Sequence, residues 1–565
     1  MARWQVLQPD PQMIDEVAAS YKLDRVLARC ILNRNVTGPQ AMKQFLDPGA
    51  YTSPDPYLMP DMDKAVARIM HAVAHKERIC IYGDYDADGI TAIAILTQAI
   101  GELGGDAFYY IPDRFFEGVG LNPERLVLLR QEENVALVIT VDTGVRAFTE
   151  MEVAREHGLD VIITDHHTPG DARPDALAVL NPKMAGSRYP FKGLCGAGVA
   201  LKVAQALALC NPGKISLNNY LQIAAIGTIA DMVPLRDENR WIVFEGLHAM
   251  ETKPTAPIRC LLRKVGIRGD VNAIEVSFKV APRINAPGRL GDPDIAIHFL
   301  NGTDEAELIR LVDIMDGMNT MRQMVERELN NKLELQIRHS FRNRIPPFIM
   351  LAGRHWHRGI LGIMACKLMR RFERPSCVLS FDAHMAYGSI RSISGVNVLD
   401  ALDRISHLLG NFGGHPEAAG VTLPVNNLPL FKQRMNELLG PMILEQRHKE
   451  ACTIDAQIDW QDLTAAFFAN LSKMAPFGIG NAMPVFLSPN LILETDLLRK
   501  GPWYHFEVSD GNISRKCTFY HPIELEFQFE RFDSVDLVYS LAPFRDDYQV
   551  QIVEIKPSRG EAEDQ

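Results

Sequence analysis

The stretch with the clearest chemical potential is YGDYDADGITA, at residues 82–92, where three aspartates alternate with other residues. Asp84, Asp86 and Asp88 follow a short apolar run that is typical of a β-strand. Carboxylates this close repel one another unless protons or a cation compensate them, and Mg²⁺ and Mn²⁺ prefer such oxygen ligands. The segment therefore predicts a metal site. A solvated acidic turn or a calcium loop is the alternative, but the residues that follow lack the closing glutamate of a calcium loop.

Three further segments place ionisable side chains where an apolar run ends. ITVDTGV at 139–145 ends in Asp142, which taken alone suits a turn or a helix cap. IITDHHTPG at 162–170 carries Asp165, His166 and His167. Since consecutive side chains of an extended segment point in opposite directions, we expect one histidine to bind metal and the other to contact substrate or the metal ligands. IGTIADMVPL at 226–235 ends in Asp231, a weak signal by itself.

The elements around these segments alternate between strands and helices. The patterns predict strands at 78–84, 107–112, 135–142 and 160–167, and helices at 91–104, 122–133 and 148–158. Apolar strands that alternate with helices predict a parallel sheet covered on both faces. In such sheets the carboxyl ends of the strands open into one ligand-binding crevice, so the acidic segments should meet there.

The rest of the chain has a different organisation. Residues 303–340 lack proline and predict one long amphipathic helix, of the kind that connects two lobes, and a second α/β segment follows at 347–424. Short alternating runs between 450 and 556 predict a small β-barrel or sandwich, and the tail at 558–565 suits disorder.

Composition narrows the class of protein. The 565 residues suit roughly three or four domains, and 47% hydrophobic residues exclude a disordered chain. A net charge of −11 argues against a globally basic nucleic-acid binder but permits a local basic channel. The nine cysteines form no C-x-x-C pair, the start is polar and no apolar stretch is long enough to span a bilayer. We expect a cytoplasmic protein without disulfides and without contact to membranes.

The four acidic segments resemble the DHH phosphoesterase superfamily in content and order: D-x-D-x-D-G, V-D-T-G, D-H-H and A-D-M-V-P-L. Later segments are similar to its RecJ branch at matching order, and GGHPEAAG (413–420) is the mark of the DHH-associated second domain. The other segments that carry this resemblance are IPDRFFEGVGL (111–121), GLCGAGVALK (193–202), PRINAPGRLGD (282–292), RHWHRGILGIMACKL (354–368) and YGSIRSISGVNV (387–398).

The resemblance implies an α/β fold in which a parallel-sheet DHH domain and a smaller α/β DHH-associated domain flank a cleft. A long helix joins them, and a C-terminal β-barrel of the OB-fold type follows. The expected boundaries are an N-terminal extension at 1–60, the DHH domain at 61–240, a helical region at 241–345, the DHH-associated domain at 346–445, the OB-fold at 450–557 and the tail at 558–565.

The resemblance also implies an activity. It is that of a 5′→3′ exonuclease specific for single-stranded DNA, which releases 5′-mononucleotides with Mn²⁺ or Mg²⁺. We expect the protein to be a monomer. The family serves recombinational and mismatch repair beside single-strand-binding protein and a DNA helicase.

On this reading two cations are held by six side chains, and His167 belongs to the catalytic set without binding metal. The ligands are Asp84, Asp86, Asp88, Asp142, His166 and Asp231, with Asp142 as the bridge. Two-metal sites activate a water and stabilise both oxygens of an in-line displacement. The chain departs from the superfamily at Tyr82, where many members have a histidine, so that either Asp84 or water would fill that ligand position.

A second set of residues is expected to hold the substrate's phosphates. Arginine binds phosphate in a bidentate fork, and glycine-rich turns expose N–H groups to anions. The candidates are Arg114, Arg289, His357, Ser389, Arg391 and a turn formed by Gly413, Gly414 and His415. In the OB-fold, Trp503, Tyr504 and Phe506 are either stacking surfaces for bases or barrel core.

Two other functions remain open. A DHH phosphoesterase for small substrates, such as pyrophosphate, cyclic dinucleotides or short oligonucleotides, would use the same scaffold but would not need the long helix and the C-terminal domain. A non-catalytic binding scaffold would be expected to have lost metal carboxylates, whereas all four acidic segments are intact.

Overall fold

The computed structural model describes residues 3–113, 117–118, 120–341, 345–447, 451–521, 527–544 and 547–558. Its strands are β1 (Arg3–Val6), β2 (Arg78–Gly83), β3 (Asp106–Tyr110), β4 (Val135–Val141), β5 (Asp160–Thr164), β6 (Ala178–Leu180), β7 (Ile349–Arg354), β8 (Ser376–Phe381), β9 (Met385–Arg391), β10 (Asn411–His415), β11 (Ala418–Pro424), β12 (Ala451–Ile454), β13 (Ala456–Gln457), β14 (Val485–Leu493), β15 (Leu498–Lys500), β16 (Trp503–Ser509), β17 (Ser514–Tyr520), β18 (Ser534–Phe544) and β19 (Asp547–Pro557).

The helices are α1 (Pro11–Tyr21), α2 (Arg25–Leu32), α3 (Pro39–Leu46), α4 (Met62–His75), α5 (Ala87–Glu102), α6 (Pro123–Gln131), α7 (Phe148–Glu156), α8 (Gly196–Cys210), α9 (Leu217–Ala230), α10 (Asp237–Thr252), α11 (Ala256–Val265), α12 (Ala273–Glu275), α13 (Ala281–Leu290), α14 (Asp294–Asn301), α15 (Glu305–Ser340), α16 (Leu361–Phe372), α17 (Val398–Arg404), α18 (Leu428–Arg447) and α19 (Ala465–Ser472). A π-helical turn at Val276–Val280 joins α12 to α13.

The chain divides into two compact units. The first unit consists of residues 8–319 and 462–484, and the second contains the described residues of 3–7, 320–461 and 485–558. The long helix α15 crosses from one unit to the other, as the proline-free stretch predicts. The division also shows that residues 462–484, although they lie within the C-terminal β-rich part of the sequence, pack with the first unit.

The first unit is built on a five-stranded parallel sheet with the order β3-β2-β4-β5-β6. Alternate residues of β4 enter two separate cores: Leu137, Ile139 and Val141 belong to one, and Val138 between them belongs to the other. A strand buried on both faces explains the unbroken apolar runs in the sequence. The order of strands reverses between β2 and β4, and that switch point is where ligands bind in open parallel sheets.

The second unit contains a five-stranded mixed sheet in the order β10-β11-β9-β8-β7. It also has a seven-stranded sheet in the order β13-β14-β18-β19-β17-β16-β15. Because β14 pairs with β16 as well, five of these strands close into a ring, which is the arrangement of a small barrel. The predicted fold class is therefore confirmed.

The cysteines and the apolar helices bear on the expectations of no disulfides and no membrane contact. All nine cysteines are free thiols. Across the described ranges, no helix has both the length and the apolar character needed to cross a membrane.

Candidate metal centre

The acidic segments gather at the carboxyl edge of the parallel sheet. Asp84 follows β2, Asp142 follows β4 and the Asp165–His167 segment follows β5. β2 and β4 are hydrogen-bonded neighbours, as are β4 and β5. The sheet therefore brings these side chains to the switch point, as the sequence predicts.

The first acidic segment differs from its expected form. Helix α5 begins at Ala87, not at residue 91, so Asp88 lies in the first helical turn and not on a loop. Asp86 is the N-cap, and its side chain accepts hydrogen bonds from the N–H groups of Asp88 (3.0 Å) and Gly89 (3.2 Å). An aspartate cap of this kind satisfies helix donors that otherwise lack partners, which is why the helix starts four residues early.

Asp88 is held by the start of a distant helix. Its carboxylate accepts hydrogen bonds from the N–H groups of Gly196 (2.6 Å) and Ala197 (2.8 Å) at the first turn of α8. A Cβ on Gly196 would lie 2.7 Å from the Cβ of Asp142, and one on Gly227 would lie 3.0 Å from Asp88 Oδ1. Glycine at these two positions allows α8 and α9 to approach the carboxylates.

Asp142 occupies a conformation that few residues with a side chain adopt. Its φ is 59°, and Gly144 two residues later has a φ of 112°. Such a left-handed residue at the end of a buried strand turns the chain sharply. The Asp142 side chain is 4% exposed, so this backbone places a carboxylate inside the sheet edge and away from solvent.

The three residues of the DHH motif have separate roles. Asp165 is almost fully buried and accepts hydrogen bonds from the N–H of Val145 (2.9 Å), the N–H of His166 (2.7 Å) and Nδ1 of His167 (2.8 Å). It therefore orients the two histidines rather than facing the cluster. His166 Nε2 lies 3.0 Å from Asp142 Oδ1, whereas His167 Nδ1 lies 3.9 Å from the same oxygen.

The side chains form three overlapping groups whose potential ligand atoms lie within 4.8 Å of one another. The groups are Asp84, Asp86 and Asp142; Asp88, His166 and Asp231; and Asp142, His166 and His167. Asp142 and His166 each belong to two groups. All seven metal or catalytic residues predicted in the first unit are thus brought together.

Burial and mutual repulsion govern the charges of this cluster. Burial raises the pKa of Asp142 well above its usual range, and the charges of Asp88 and Asp86 raise it further. Burial and the same two charges raise the pKa of Asp231 to about 9. Burial lowers the pKa of His166 to about 4, which leaves its imidazole neutral at pH 7. The pKa of His167 is raised instead, since its hydrogen bond to Asp165 and the charge of that group outweigh burial.

The cluster fits a divalent cation. Asp142 Oδ1, Asp231 Oδ2 and both ring nitrogens of His166 are buried without a hydrogen-bond partner. Buried polar atoms normally have partners, and an unfilled ion site is one of the recognised exceptions. Carboxylate oxygens with a single neutral imidazole suit Mn²⁺ and Mg²⁺ better than a thiolate-preferring metal.

Tyr82 is not among the potential metal ligands of the described residues. Its ring is fully buried, and its hydroxyl accepts a hydrogen bond from the N–H of Asn122 at 3.2 Å. It is therefore a core residue, whereas Asp84 belongs to the group with Asp86 and Asp142. Asp84 thus lies where one of the two alternatives for the missing histidine requires it.

The predicted phosphate-binding residues are divided between the units. Arg289 lies on α13 of the first unit, whose Gly288 is so close to the acidic segment that a Cβ there would be 2.2 Å from the carbonyl oxygen of Tyr85. Arg114 lies outside the described residues. The second unit contains the remaining candidates, which are His357, Ser389, Arg391, Gly413, Gly414 and His415.

In the second unit the expected glycine turn is a strand. Gly413, Gly414 and His415 form the end of β10, and the turn follows at Pro416 and Glu417. Gly414 has a φ of 141°, and a Cβ there would lie 2.2 Å from the carbonyl oxygen of Ala418, so the tight hairpin requires glycine. His357 caps a short helical turn, where its Nδ1 accepts a hydrogen bond from Gly359 N–H at 3.2 Å.

The aromatic residues of the C-terminal domain separate into core and surface. Tyr504 and Phe506 are 7% and 3% exposed, so the stacking role is wrong for both and the core role is correct. Trp503 is 42% exposed and packs edge-on against Tyr520 across β16 and β17, with ring centres 5.0 Å apart. Alternation along β16 could have separated the two classes.

Sequence reasoning missed several contributors. Asp165 was seen as part of the motif but not as its hydrogen-bond anchor. Asn285 Oδ1 accepts a hydrogen bond from Ala87 N–H at 2.9 Å, which ties α13 to the start of α5. Gly196 and Asn285 lie 108 and 197 residues beyond Asp88, and spacing alone gives no signal for contacts at that separation.

Comparison with known proteins agrees with this architecture. The sequence matches the family models for the DHH family, N-terminal domain (residues 78–228), the DHHA1 domain (346–440) and the RecJ OB domain (454–553). It is 32% identical to the single-stranded-DNA-specific exonuclease RecJ of Escherichia coli K12, in a match that covers 75% of this chain and 77% of that protein. The chain belongs to the RecJ family.

Other RecJ proteins extend the match. The RecJ of Bacillus subtilis 168 is 37% identical over 87% of this chain, which spans 62% of that protein. The crystal structure of RecJ from Thermus thermophilus in complex with Mn²⁺ superposes with a TM-score of 0.83 at 29% identity, covering 99% of this chain and 80% of that one. A manganese-bound exonuclease RecJ structure has a TM-score of 0.60 at 34% identity, covering 68% and 97%.

Proposed function

We propose that this protein is a metal-dependent exonuclease that degrades single-stranded DNA from the 5′ end and releases 5′-mononucleotides. The observation that carries the proposal is the buried cluster at the sheet edge, whose unpaired ligand atoms suit two divalent cations, in a chain of the RecJ family. Mn²⁺ and Mg²⁺ are the proposed cations, because RecJ structures from Thermus thermophilus contain one or the other.

The residues divide the work as follows. One cation would be held by Asp84, Asp86 and Asp142, and the other by Asp88, His166 and Asp231. Asp142 would lie beside both cations, because its Oδ1 is 3.0 Å from His166 Nε2. Two divalent cations supply charge stabilisation and a nucleophile at neutral pH. Asp165 fixes the Nδ1 of His167. The His167 ring would therefore contact the substrate or transfer a proton during hydrolysis.

The β-sheet of the second unit would bind the phosphate at the 5′ end. Strand pairing aligns Gly413 with Gly420 and Ser389, and His415 with Ala418 and Arg391, so these residues share one face of the sheet. Arg391 donates a hydrogen bond from Nη1 to Ser389 Oγ at 2.9 Å. Gly362, in the first turn of α16, is so close that a Cβ there would lie 2.9 Å from Arg391 Nη2. Guanidinium, hydroxyl and helix N–H groups are donors that bind phosphate, so this face of the sheet would hold the terminal phosphate.

The C-terminal barrel would extend the path of the strand. Lys500, Trp503 and Tyr520 are paired across β15, β16 and β17, and all three are exposed. Aromatic rings beside cationic groups bind single strands by stacking and charge without regard to sequence. This surface also argues against the alternative of a small-substrate phosphoesterase, which has no use for it.

Further roles follow from the family. We propose that the enzyme acts as a monomer in the cytoplasm, in recombinational and mismatch repair, with single-strand-binding protein and a DNA helicase as partners.

End-labelled oligonucleotides test the proposed polarity. With Mn²⁺, a 5′-labelled single strand should lose its label as mononucleotide in the first turnovers, a 3′-labelled strand should shorten progressively, and a blunt duplex should resist. Arg391→Ala should reduce the preference for a 5′-phosphate over a 5′-hydroxyl in single-turnover digestion more than it slows hydrolysis. Release from the 3′ end first would contradict the polarity, and an unchanged preference in the variant would place the phosphate site elsewhere.

A further inference from the structure

Asp231 is positioned differently from the other acidic residues of the cluster. Asp84 and Asp142 follow strands whose ladders fix them, whereas Asp231 is the residue after helix α9. The next residue, Met232, has a φ of 59° and is 53% exposed. The N–H of Asp231 donates a hydrogen bond to the carbonyl oxygen of Gly227 at 2.9 Å, so α9 holds Asp231 from one side and the segment that follows holds it from the other.

A segment from far along the chain holds that turn. The N–H of Leu235 donates a hydrogen bond to the carbonyl oxygen of Ile479 at 2.6 Å. Cβ atoms added to Gly478 and Gly480 would lie 2.7 Å from Leu235 Cδ1 and 2.9 Å from Pro234 Cβ. Residues 478–480 thus contact Pro234 and Leu235, three and four residues after Asp231, although they lie within the match to the RecJ OB domain.

Arg240 fixes residues 474–481 in place. Its guanidinium donates hydrogen bonds to the carbonyl oxygens of Met474 (3.1 Å), Ala475 (2.6 Å) and Pro476 (3.2 Å). The side-chain amide of Asn481 donates to two of the same carbonyls, at 2.8 Å from Met474 and 2.9 Å from Pro476. Arg240 is 4% exposed and Asn481 is 1% exposed, so these bonds are shielded from water.

The charge of Arg240 is also met by an aromatic ring, because its guanidinium lies over Phe45 at 4.3 Å from the ring centre. Among the described residues no carboxylate lies at ion-pair distance from Arg240, and the neighbouring charge is the like charge of Arg34. Arg34 contacts the same segment, with its Nε 3.1 Å from Asn481 Oδ1. Burying a cation without a counter-ion is costly unless its donors are satisfied. Here the hydrogen bonds that compensate the buried cation go to the segment that supports the Asp231 turn and to the carbonyl oxygen of Phe45.

We infer that Arg240 and residues 474–481 act as a positioning element for Asp231, so that one of the two proposed cation sites depends on a segment from the OB part of the sequence. The inference rests on the proposed function only in taking Asp231 as a metal ligand. It predicts an asymmetry, because the contacts that carry the inference are made with Pro234 and Leu235, which are close in the chain to Asp231 and far in the chain from Asp84, Asp86 and Asp142. Loosening the element should weaken one cation and spare the other.

The test is a titration of the whole chain with Mn²⁺. Electron paramagnetic resonance measures the concentration of free Mn²⁺ at each step. The variants are Gly478→Val, which pushes on Leu235, and the pair Arg240→Gln and Arg240→Lys. Gly302→Val is the matched control, since its Cβ would meet Leu308 Cδ2 at 2.9 Å in the same unit but outside the cluster. Thermal unfolding of each metal-free variant identifies any loss of fold.

Gly478→Val and Arg240→Gln should each weaken one Mn²⁺ equivalent by about tenfold or more and leave the other within about twofold, with Arg240→Lys between them and wild type. Gly302→Val should leave both equivalents unchanged. Equal weakening of both equivalents, no weakening in Gly478→Val, or the same effect in the control would overturn the inference. A wild type that binds two Mn²⁺ but leaves single-stranded DNA intact would contradict the proposed function and not this inference, whereas a wild type that binds none would overturn both.

Discussion

At the scale of single residues, the cluster combines half-buried acids with two buried ones, Asp88 and Asp142, whose ionisation is unfavourable without a cation. Asp142 and Asp88 are almost fully buried, and His166 Nε2 lies between their carboxylates at 3.0 and 3.8 Å. Desolvation raises the pKa values of both acids and lowers that of His166. The metal-free protein therefore holds protons where the metal-bound protein would hold cations.

The first prediction concerns the pH dependence of metal binding. Asp231, whose pKa is raised to about 9, is protonated at pH 7 in the metal-free protein and must lose that proton when Mn²⁺ binds. Mn²⁺ affinity should therefore rise as the pH increases from 6.5 towards 9, by up to about tenfold per pH unit for one released proton. Calorimetry at several pH values measures this, and an affinity that does not change with pH would contradict it.

The same raised pKa has a consequence for stability with the opposite sign. A group whose folded pKa lies above its unfolded value stabilises the fold at low pH, and this contribution is lost as the pH rises through the folded value. For Asp231 the loss spans the window from its unfolded pKa near 3.8 to about 9. Metal-free protein should unfold at a lower temperature at pH 8.5 than at pH 6.5. Bound Mn²⁺ should compensate this loss of stability at pH 8.5.

The second prediction separates the two histidines. His166→Ala removes a ring shared by two ligand groups, so excess Mn²⁺ should partly rescue its activity. His167→Ala should lower turnover without raising the Mn²⁺ requirement, because Asp165 already holds its Nδ1 at 2.8 Å. Activity measured against Mn²⁺ concentration for both variants decides the matter, and the reverse pattern would exchange their roles.

At the scale of elements, the helices that pack on the sheet edge complete what the strands begin. The start of α8 donates two N–H groups to Asp88, and α13 accepts the N–H of Ala87 through Asn285. Each contact joins residues that are more than 100 positions apart in the chain. The site is thus built by tertiary packing around the local motifs.

The third prediction concerns Gly196. In Gly196→Ala the new methyl group would lie 2.7 Å from the Cβ of Asp142, so α8 must shift and weaken its bonds to Asp88. Activity should fall by about tenfold or more, equivalent to ~1.4 kcal/mol, while the fold persists. Gly101→Ala in α5 is the control, because a Cβ there meets nothing within 4 Å. Equal activity in the two variants would show that α8 does not set the geometry of Asp88.

The sequence predicted the elements of the sheet well and the local details less well. Strands β2, β4 and β5 lie where unbroken apolar runs indicated them, because both faces of this sheet are buried. The start of α5 was predicted too late, because Asp86 was interpreted only as a metal ligand. The structure shows that it is also the N-cap of the helix. The strand at Gly413 and Gly414 was taken for a turn, because glycines that allow a tight hairpin and glycines that form a turn look alike in sequence.

At the scale of the whole molecule, an acidic protein can still act on nucleic acid. The net charge is −11, yet Lys500 lies beside the exposed rings of Trp503 and Tyr520 in the barrel, and Arg391 lies beside Ser389 in the mixed sheet. Local charge near the phosphates governs binding and its dependence on salt. The two units exchange segments as well, since residues 3–7 join the second and residues 462–484 the first.

The central claim is that the Asp142 cluster hydrolyses single-stranded DNA with divalent cations. The most direct measurement is single-turnover digestion of a 5′-labelled single strand by wild type and Asp142→Ala, with Mn²⁺ and after its removal by a chelator. Wild type should release labelled mononucleotide only with Mn²⁺, and Asp142→Ala should be slower by about a thousandfold, or ~4 kcal/mol in the barrier, with its fold intact. Activity of Asp142→Ala within about tenfold of wild type, or hydrolysis by wild type without a divalent cation, would contradict the account.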